Sequence, residues 1–263
     1  MPEGDTLHRT AARLRPALAG AEVRRVEAPR LSGRLPAVGS RVDAVDAVGK
    51  HLVMRFSDGL TLETHLRMSG SWHLYRTGER WRKPAHLVRA LVEVDEWVAV
   101  CFSAPVVRTY PTPPADDGAA PLGHLGPDLC LPDPDLDVAV SNLARFADAD
   151  TEIHESLLDQ RVAAGIGNVY KSEVLWACGI DPFTRTADVA PESRRRLLEV
   201  AARLLRANLT TVSRTTVPGG LAVYGRARQP CRRCGTPIRT ARRGVQARST
   251  YWCPTCQPPA TTR

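Results

Sequence analysis

Two pairs of cysteines carry the plainest chemistry in this sequence. Cys231-Arg-Arg-Cys234 and Cys253-Pro-Thr-Cys256 form two CxxC knuckles separated by eighteen residues. Thiolates paired this way suit four-coordinate tetrahedral zinc, each turn supplying two ligands. A closed four-sulfur set leaves no open position for a substrate, so one structural Zn2+ per chain is expected, bracing the hairpin 237–252 rather than catalysing. That hairpin carries Arg239, Arg242, Arg243 and Arg248. The other chemistry-bearing stretch is Gly165-Ile-Gly167-Asn168, a Gly-x-Gly turn between two helical patterns. Asn168 opens the second helix. Free N–H groups and the positive dipole end there, with the Asn amide as one more donor, make a seat for a phosphate. Taken alone, the same stretch reads equally as a plain corner between helices.

These groups lie in an uneven field of charge. From residue 200 onward there are twelve Arg and no Asp or Glu, so this region carries +12 and residues 1–199 carry −4 of the formal +8. A one-signed patch is the footprint of a polyanion, and nucleic acid is the expected partner over a merely solvated basic tail. A length of 263 residues favours two domains. The hydrophobic share of 43% and charged share of 24% are those of an ordinary globular protein and exclude disordered or collagen-like chains. No window reaches the ~18 apolar residues of a membrane helix. Met1-Pro2-Glu3-Gly4-Asp5 lacks the basic start and apolar run of a secretory signal, so a cytoplasmic protein with no membrane partner is expected.

The elements that must position these groups follow from hydrophobic period. Leu7, Ala11, Leu14 and Leu18 predict an amphipathic helix over 6–18, with Asp5 as N-cap and Pro16 disturbing its last turn. Strands are expected over 42–48, 51–56, 60–66, 71–76, 86–94 and 96–102, separated by turn signals such as Ser57-Asp58-Gly59. Short strands at this spacing form a sandwich or a barrel. Residues 111–135 have the Pro, Asp and Gly content of a linker, including Asp116, Asp117 and Gly118. Beyond them the period becomes helical over 136–146, 153–160, 168–178 and 191–209.

Four motifs then occur in order: Pro2-Glu3-Gly4-Asp5-Thr6, Gly49-Lys50-His51-Leu52, Gly165-Ile-Gly-Asn168 and Arg248-Ser-Thr-Tyr-Trp-Cys253. On them the chain resembles the formamidopyrimidine-DNA glycosylase/endonuclease VIII family of base-excision repair enzymes over nearly its whole length. The Glu3-Gly4-Asp5-Thr6 start is similar to the endonuclease VIII branch. The resemblance implies an α+β, two-domain fold: an N-terminal β-sandwich with an opening helix (1–115), a linker (116–134), a helix–two-turns–helix domain (135–225) and a zinc-ribbon finger (226–263). It further implies damaged DNA as partner, no small-molecule cofactor and a monomer.

The resemblance also gives roles to residues that look ordinary on their own. Removal of Met1 would leave Pro2 with a free secondary amine, and an α-amino group with a pKa of about 7.7–8.0 keeps a useful neutral fraction near pH 7. Such an amine can displace the damaged base at C1′ and form a protonated Schiff base that drives β- and then δ-elimination. Glu3 would be the general acid/base. Lys50 would contact the lesion phosphate and donate a proton in β-elimination. Arg248 would grip flanking phosphates and assist δ-elimination, a task suited to a guanidinium fork. Asn168 matches a phosphate-binding Asn, and Glu173 a carboxylate near the catalytic amine, with a helix-surface Glu as the alternative for the latter. Met68, in His65-Leu66-Arg67-Met68-Ser69-Gly70, lies where the family fills the hole left by an everted base; a core Met is the competing reading.

One segment departs from the family's purine-specific branch. That branch carries Asp-Pro-Arg-Arg-Phe where this chain reads Ser103-Ala-Pro105-Val-Val-Arg108-Thr-Tyr110. Oxidised pyrimidines are therefore the expected substrates, and Arg108 is a candidate for facing the unpaired base. A catalytically inactive DNA-binding relative is the competing function, against which Pro2, Glu3, Lys50 and Arg248 all stand. A zinc-ribbon RNA-binding protein would share the basic tail but explains neither the Pro2-Glu3 start nor the order of motifs.

Overall fold

Alternation of apolar residues along short strands lets each sheet bury one face, and the first unit is built from two such sheets. The computed structural model describes residues 2–114, 121–146, 150–244 and 247–259, and the chain divides into units at Met1–Gly123 and His124–Arg263. One sheet holds β2 (Val42–Val48), β3 (His51–Phe56), β4 (Leu60–His65) and β8 (Val106–Pro111) in the order β2-β3-β4-β8. The other holds β1 (Arg25–Glu27), β5 (Ser71–Arg76), β6 (Val88–Glu93) and β7 (Trp97–Phe102) in the order β1-β6-β7-β5. All pairings are antiparallel. Val45, Leu52, Met54 and Leu62 of one sheet meet Trp72, Val92, Ala99 and Cys101 of the other in a single core. Leu7, Ala11, Leu14 and Leu18 of α1 (Gly4–Leu18) complete it. The far face of the second sheet is covered too, by Trp81 and Leu87 against Tyr75, Leu91, Val100 and Phe102.

The structure corrects the sequence expectations at several ends. Helix α1 starts at Gly4, so Glu3, not Asp5, occupies the N-cap position, with extended backbone and no side-chain capping bond. Asp5 falls in the first turn, where its charge still faces the positive helix end. Pro16 sits inside the last turn, and the helix ends two residues later. Strand β8 lies where a Pro-flanked sequence gave no expectation of a strand. It pairs along β4 from Leu60↔Pro111 to His65↔Val106. The strand expected from His86 begins only at Val88, after a single 3-10 turn at Ala85–Leu87.

The second unit packs α2 (Leu136–Phe146), α3 (Ile153–Ser156), α4 (Asn168–Cys178) and α5 (Pro191–Ala207) around Leu143, Ile153, Tyr170, Val174, Leu197, Ala201 and Leu205. Helix α3 stops at Ser156 rather than Gln160, because the chain turns over Leu157–Val162. Residues 124–134, expected as linker, belong to this unit: Leu129 and Cys130 are buried in its core, and Asp128 bridges to Ala164. Asp116, Asp117 and Gly118 lie outside the described residues. The hairpin β9 (Arg239–Arg243) and β10 (Arg248–Trp252) closes the same unit. No helix among the described residues is long and apolar enough to cross a membrane.

Candidate active site and zinc ribbon

In the first unit the candidate residues lie at the ends of elements. Pro2, half-buried, and Glu3, fully buried, immediately precede α1. A glutamate in the third position is ordinarily a solvated charge. Here it has no exposed surface, and the α1 N-terminus does not use its side chain as a cap. Lys50 stands in the two-residue turn between β2 and β3, closed by the Val48↔His51 pair. Gly49, with φ of 58°, takes the left-handed first position that such a tight hairpin requires. Lys50 is thus presented by a turn whose flanking strands are both pinned in a four-stranded sheet.

Directly behind this turn is a charged cluster that sequence reasoning missed. Glu63 on β4 is fully buried. Its Oε1 lies 2.9 Å from His51 Nδ1, and its Oε2 accepts from Arg108 Nε at 2.9 Å and Nη2 at 2.8 Å. Burial pushes the Glu63 carboxyl up, but the hydrogen bonds and charges of His51 and Arg108 outweigh it, so the group stays below its ordinary range. Arg108, a candidate for facing an unpaired base, is therefore held by a fork on Glu63, its cross-strand neighbour. The His51 ring meets His65 edge-on at 4.7 Å. Burial, then the charges of His51, Lys50 and Arg67, depress His65 to about 4. Neutral His65 accepts the Arg67 N–H at Nδ1, 3.2 Å away. That bond anchors the turn bearing Met68, which is 65% exposed and so is not a core residue.

In the second unit the Gly-x-Gly turn is braced from within. Gln160 Nε2 donates to Leu158 O at 2.8 Å and Ile166 O at 3.0 Å, while its Oε1 accepts the Gly165 N–H at 3.1 Å. Gly165 takes φ of 107°, a conformation closed to side chains with a Cβ. The turn delivers Gly167 as N-cap and Asn168 as first residue of α4. Asn168 is buried, and its Nδ2 donates to Ser249 O at 2.8 Å, joining α4 to the ribbon. Glu173 is buried rather than on the helix surface. Its Oε2 accepts from the Thr216 hydroxyl and from Ala222 N at 2.7 Å; its Oε1 accepts Val223 N at 2.9 Å and Tyr224 N at 2.8 Å. Both oxygens thus gather the loop that leads into the ribbon.

The four knuckle cysteines converge. Their sulfurs are 3.9 Å (Cys231–Cys256), 3.5 Å (Cys234–Cys253) and 3.4 Å (Cys234–Cys256) apart. A tetrahedron of Zn–S bonds of about 2.3 Å has edges of roughly 3.8 Å, so this donor set fits one zinc ion. N–H groups already face the sulfurs: Trp176 Nε1 and Arg233 N approach Cys231 at 3.4 Å each, and Cys256 N approaches Cys253 at 3.4 Å. These donors suit thiolate ligands. Of the remaining cysteines, Cys101 and Cys130 lie in the two cores, and burial raises the Cys101 and Cys178 thiols. Arg248 opens β10, half-buried and paired with Arg243, while Arg239, Arg242 and Arg243 are exposed on β9. The candidate residues therefore fall into two sets, Pro2, Glu3, Lys50 and Met68 in one unit and Asn168, Glu173, Arg248 and the zinc ligands in the other.

Comparison with known proteins gives one consistent result. The family model for the formamidopyrimidine-DNA glycosylase N-terminal domain matches residues 1–105, and that for the formamidopyrimidine-DNA glycosylase H2TH domain matches residues 125–217. A zinc finger found in FPG and IleRS matches residues 228–259. A Streptomyces coelicolor protein named probable endonuclease 8 2 is 44% identical over 265 residues, covering 98% of this chain and 94% of its own length. The DNA-(apurinic or apyrimidinic site) lyase Nei2 of Mycolicibacterium smegmatis is 40% identical, covering 98% and 99%. In fold, the chain is similar to Lactococcus lactis Fpg (MutM) in complex with DNA containing N7-benzyl-Fapy-dG, with a TM-score of 0.81, 22% identity, and coverage of 98% and 100%.

Proposed function

The chain belongs to the formamidopyrimidine-DNA glycosylase/endonuclease VIII family, and from that premise we propose that it excises oxidised pyrimidines through a covalent intermediate on Pro2. It is a DNA glycosylase and DNA-(apurinic or apyrimidinic site) lyase of base-excision repair. The observation that carries the residue assignment is the carboxylate of Glu3, fully buried beside Pro2 and not used as a helix cap. A buried carboxylate next to a neutral amine can hold and return a proton where water does not compete.

In this reading the Pro2 nitrogen attacks C1′ as the C1′–N bond to the base breaks. The C1′–O4′ bond then opens with its electron pair going to O4′ as Pro2 and C1′ become doubly bonded, and Glu3 moves the proton that O4′ or the departing base requires. The resulting iminium acidifies the C2′ hydrogen. Its loss expels the 3′ phosphate, with Lys50 as proton donor, and a second elimination assisted by Arg248 expels the 5′ phosphate. Asn168 holds a lesion-flanking phosphate, and Met68 fills the vacated stack. The zinc does not enter the chemistry; when bound it fixes the ribbon that bears Arg248. The enzyme acts as a monomer on damaged DNA and needs no small-molecule cofactor.

Borohydride reduction on a duplex with a single abasic site tests the assignment. A stable adduct is expected, and peptide mapping should place the deoxyribose remnant on the Pro2 nitrogen of chains that have lost Met1. An adduct mapped to Lys50 or to another lysine would sink it. Cleavage of a set of duplexes, each with one oxidised base, tests the substrate: pyrimidine lesions should be cut at least about tenfold faster than 8-oxoguanine, and the reverse order would overturn that preference.

A further inference from the structure

Lys171, one of only three lysines in the chain, has no exposed surface. It lies one turn into α4, where its ammonium donates to Asn168 Oδ1 at 2.8 Å, to Thr250 Oγ1 at 2.8 Å and, more distantly, to Ser249 O at 3.4 Å. The geometry points to a task for this directed donor, which joins the first turn of α4 to β10.

Two features define that task. An ammonium is only a donor, so the Asn168 atom facing it must be the oxygen, and the amide cannot flip. The Asn168 amide nitrogen then carries two protons in a fixed direction. One is given to Ser249 O at 2.8 Å, and the other is available to a phosphate oxygen. The second feature is where Lys171 grips β10. Thr250 is two residues from Arg248, so both side chains stand on the same face of the strand. Ser172 adds to the seam, its Oγ accepting the Tyr251 N–H at 3.4 Å. One buried cation thus touches both the amide expected to bind phosphate and the strand that bears Arg248.

Building on the proposed function, we infer that Lys171 is a positioning residue for the lesion-strand phosphates: it locks the Asn168 amide with its N–H toward DNA and registers β10 on α4 so that Arg248 is correctly presented. It touches neither substrate nor reacting atoms, and its effect runs through Asn168 and Arg248.

The test is a double-mutant cycle in the full-length zinc-loaded protein, read as equilibrium binding to a duplex with a non-cleavable abasic analogue. Lys171→Met should weaken binding about tenfold, the scale of one hydrogen bond to a charged group. Asn168→Ala should do the same, and the double variant should be no weaker than the worse single one. On a cleavable abasic duplex, Lys171→Met should also raise the ratio of β- to β,δ-elimination product at least about threefold. A lysine acting only in folding would lower the melting temperature while leaving the two binding losses multiplicative. Multiplicative losses, or Lys171→Met binding within twofold of the wild type, would overturn the inference. Should Lys171→Met lose its zinc or its cooperative melt, Thr250→Val carries the cycle instead, with the same coupling and product shift expected. Failure of the wild type to form a borohydride adduct would strike the proposed function, and the binding cycle would remain readable.

Discussion

The turn that presents Lys50 and the strand that presents Arg248 offer similar cations on opposite kinds of support. Lys50 sits between two strands of a four-stranded sheet, and the residues around its turn feed a core shared by both sheets and α1. The ribbon has two strands, β9 is almost entirely exposed, and the buried part of its apolar cluster is Ile238 with Trp176, Ala222, Val223, Cys231 and Cys253, flanked by half-buried Ala177, Val217, Tyr251 and Cys256. A two-stranded hairpin is at best marginal in water. The ribbon therefore holds its shape through a metal site and through polar bonds to α4 and, from Arg232, to the carbonyls of Pro218, Gly219 and Leu221. Apolar area places one candidate cation, whereas coordination and directed hydrogen bonds place the other. The two should fail under different insults.

Zinc removal should separate them most sharply. Structural zinc contributes about 10–16 kcal/mol in isolated finger peptides, more than a small hairpin can replace. Cys253→Ser, which takes one sulfur from the set, should unfold the ribbon and reduce strand cleavage at an abasic site by at least about a hundredfold. Near-UV circular dichroism and limited proteolysis should find residues 1–123 intact. A variant that cleaved normally without zinc would show that the ribbon does not depend on its metal.

A matched pair of isosteric changes sharpens the contrast at lower amplitude. Glu173→Gln replaces a carboxylate that accepts three backbone N–H bonds and one hydroxyl with an amide able to accept at only one atom. Hydrogen bonds to charged groups are worth about 1.5–3 kcal/mol each, and part of that survives in the amide, so a loss of about 2–4 kcal/mol is expected. Glu63→Gln leaves Arg108 and His51 without their carboxylate. Breaking a buried pair costs about 3–5 kcal/mol, but solvent reaches the Arg108 side chain, 38% exposed, and lowers the expectation to about 2 kcal/mol. Denaturant unfolding followed separately at each unit should assign the first loss to the unit 124–263 and the second to the unit 1–123. Equal losses in both units from either change would mean that the units do not unfold independently.

Much of this division can be read from the sequence, and the exceptions share a cause. The β2–β3 hairpin, the zinc ligands and the start of α4 follow from period, spacing and glycine position, all of which are local. Strand β8 is missed because Pro105, Pro111, Pro113 and Pro114 mark its neighbourhood as loop, while its place is set by pairing with β4 some fifty residues away. Glu63 is missed because period two assigns it to the face opposite Leu60 and Leu62. Only the three-dimensional cover of β4 reveals that both faces are closed. Lys171 and Glu173 look like helix-surface charges, yet α4 is buried on every side from Asn168 to Trp176. One clue was present: Asn168, Lys171, Ser172 and Glu173 cannot share one polar face at 3.6 residues per turn. In each case the decisive partner is remote in sequence, and a single chain without its contacts carries no sign of it.

Acid should blur the contrast rather than sharpen it, because each unit contains a histidine held at about 4, and in the unit 1–123 burial and the charges of Lys83, Arg13 and Arg82 lower His73 as well. Burial, with the charges of His51, Lys50 and Arg67 against that of Glu63, holds His65 at about 4. Burial, with Lys171 and Arg243 against Glu155, holds His154 at about 4 as well. Protonation would cost His65 its Nδ1 bond from Arg67, and would give His154 a charged donor at Nδ1, a buried atom with no hydrogen-bond partner among the described residues. Both groups take up a proton in the unfolded chain near pH 6.5 but in the folded chain only near 4. The stability they confer is therefore complete above about 6.5 and is lost as the pH falls towards 4, by about 1–3 kcal/mol per histidine. Between pH 7 and 5 the unfolding midpoints of both units should fall together. His65→Asn should flatten the slope of the unit 1–123 alone, and His154→Asn that of the unit 124–263 alone. An unchanged slope in His65→Asn would mean that His65 already carries its proton in the folded enzyme, and the Met68 turn would then need another anchor.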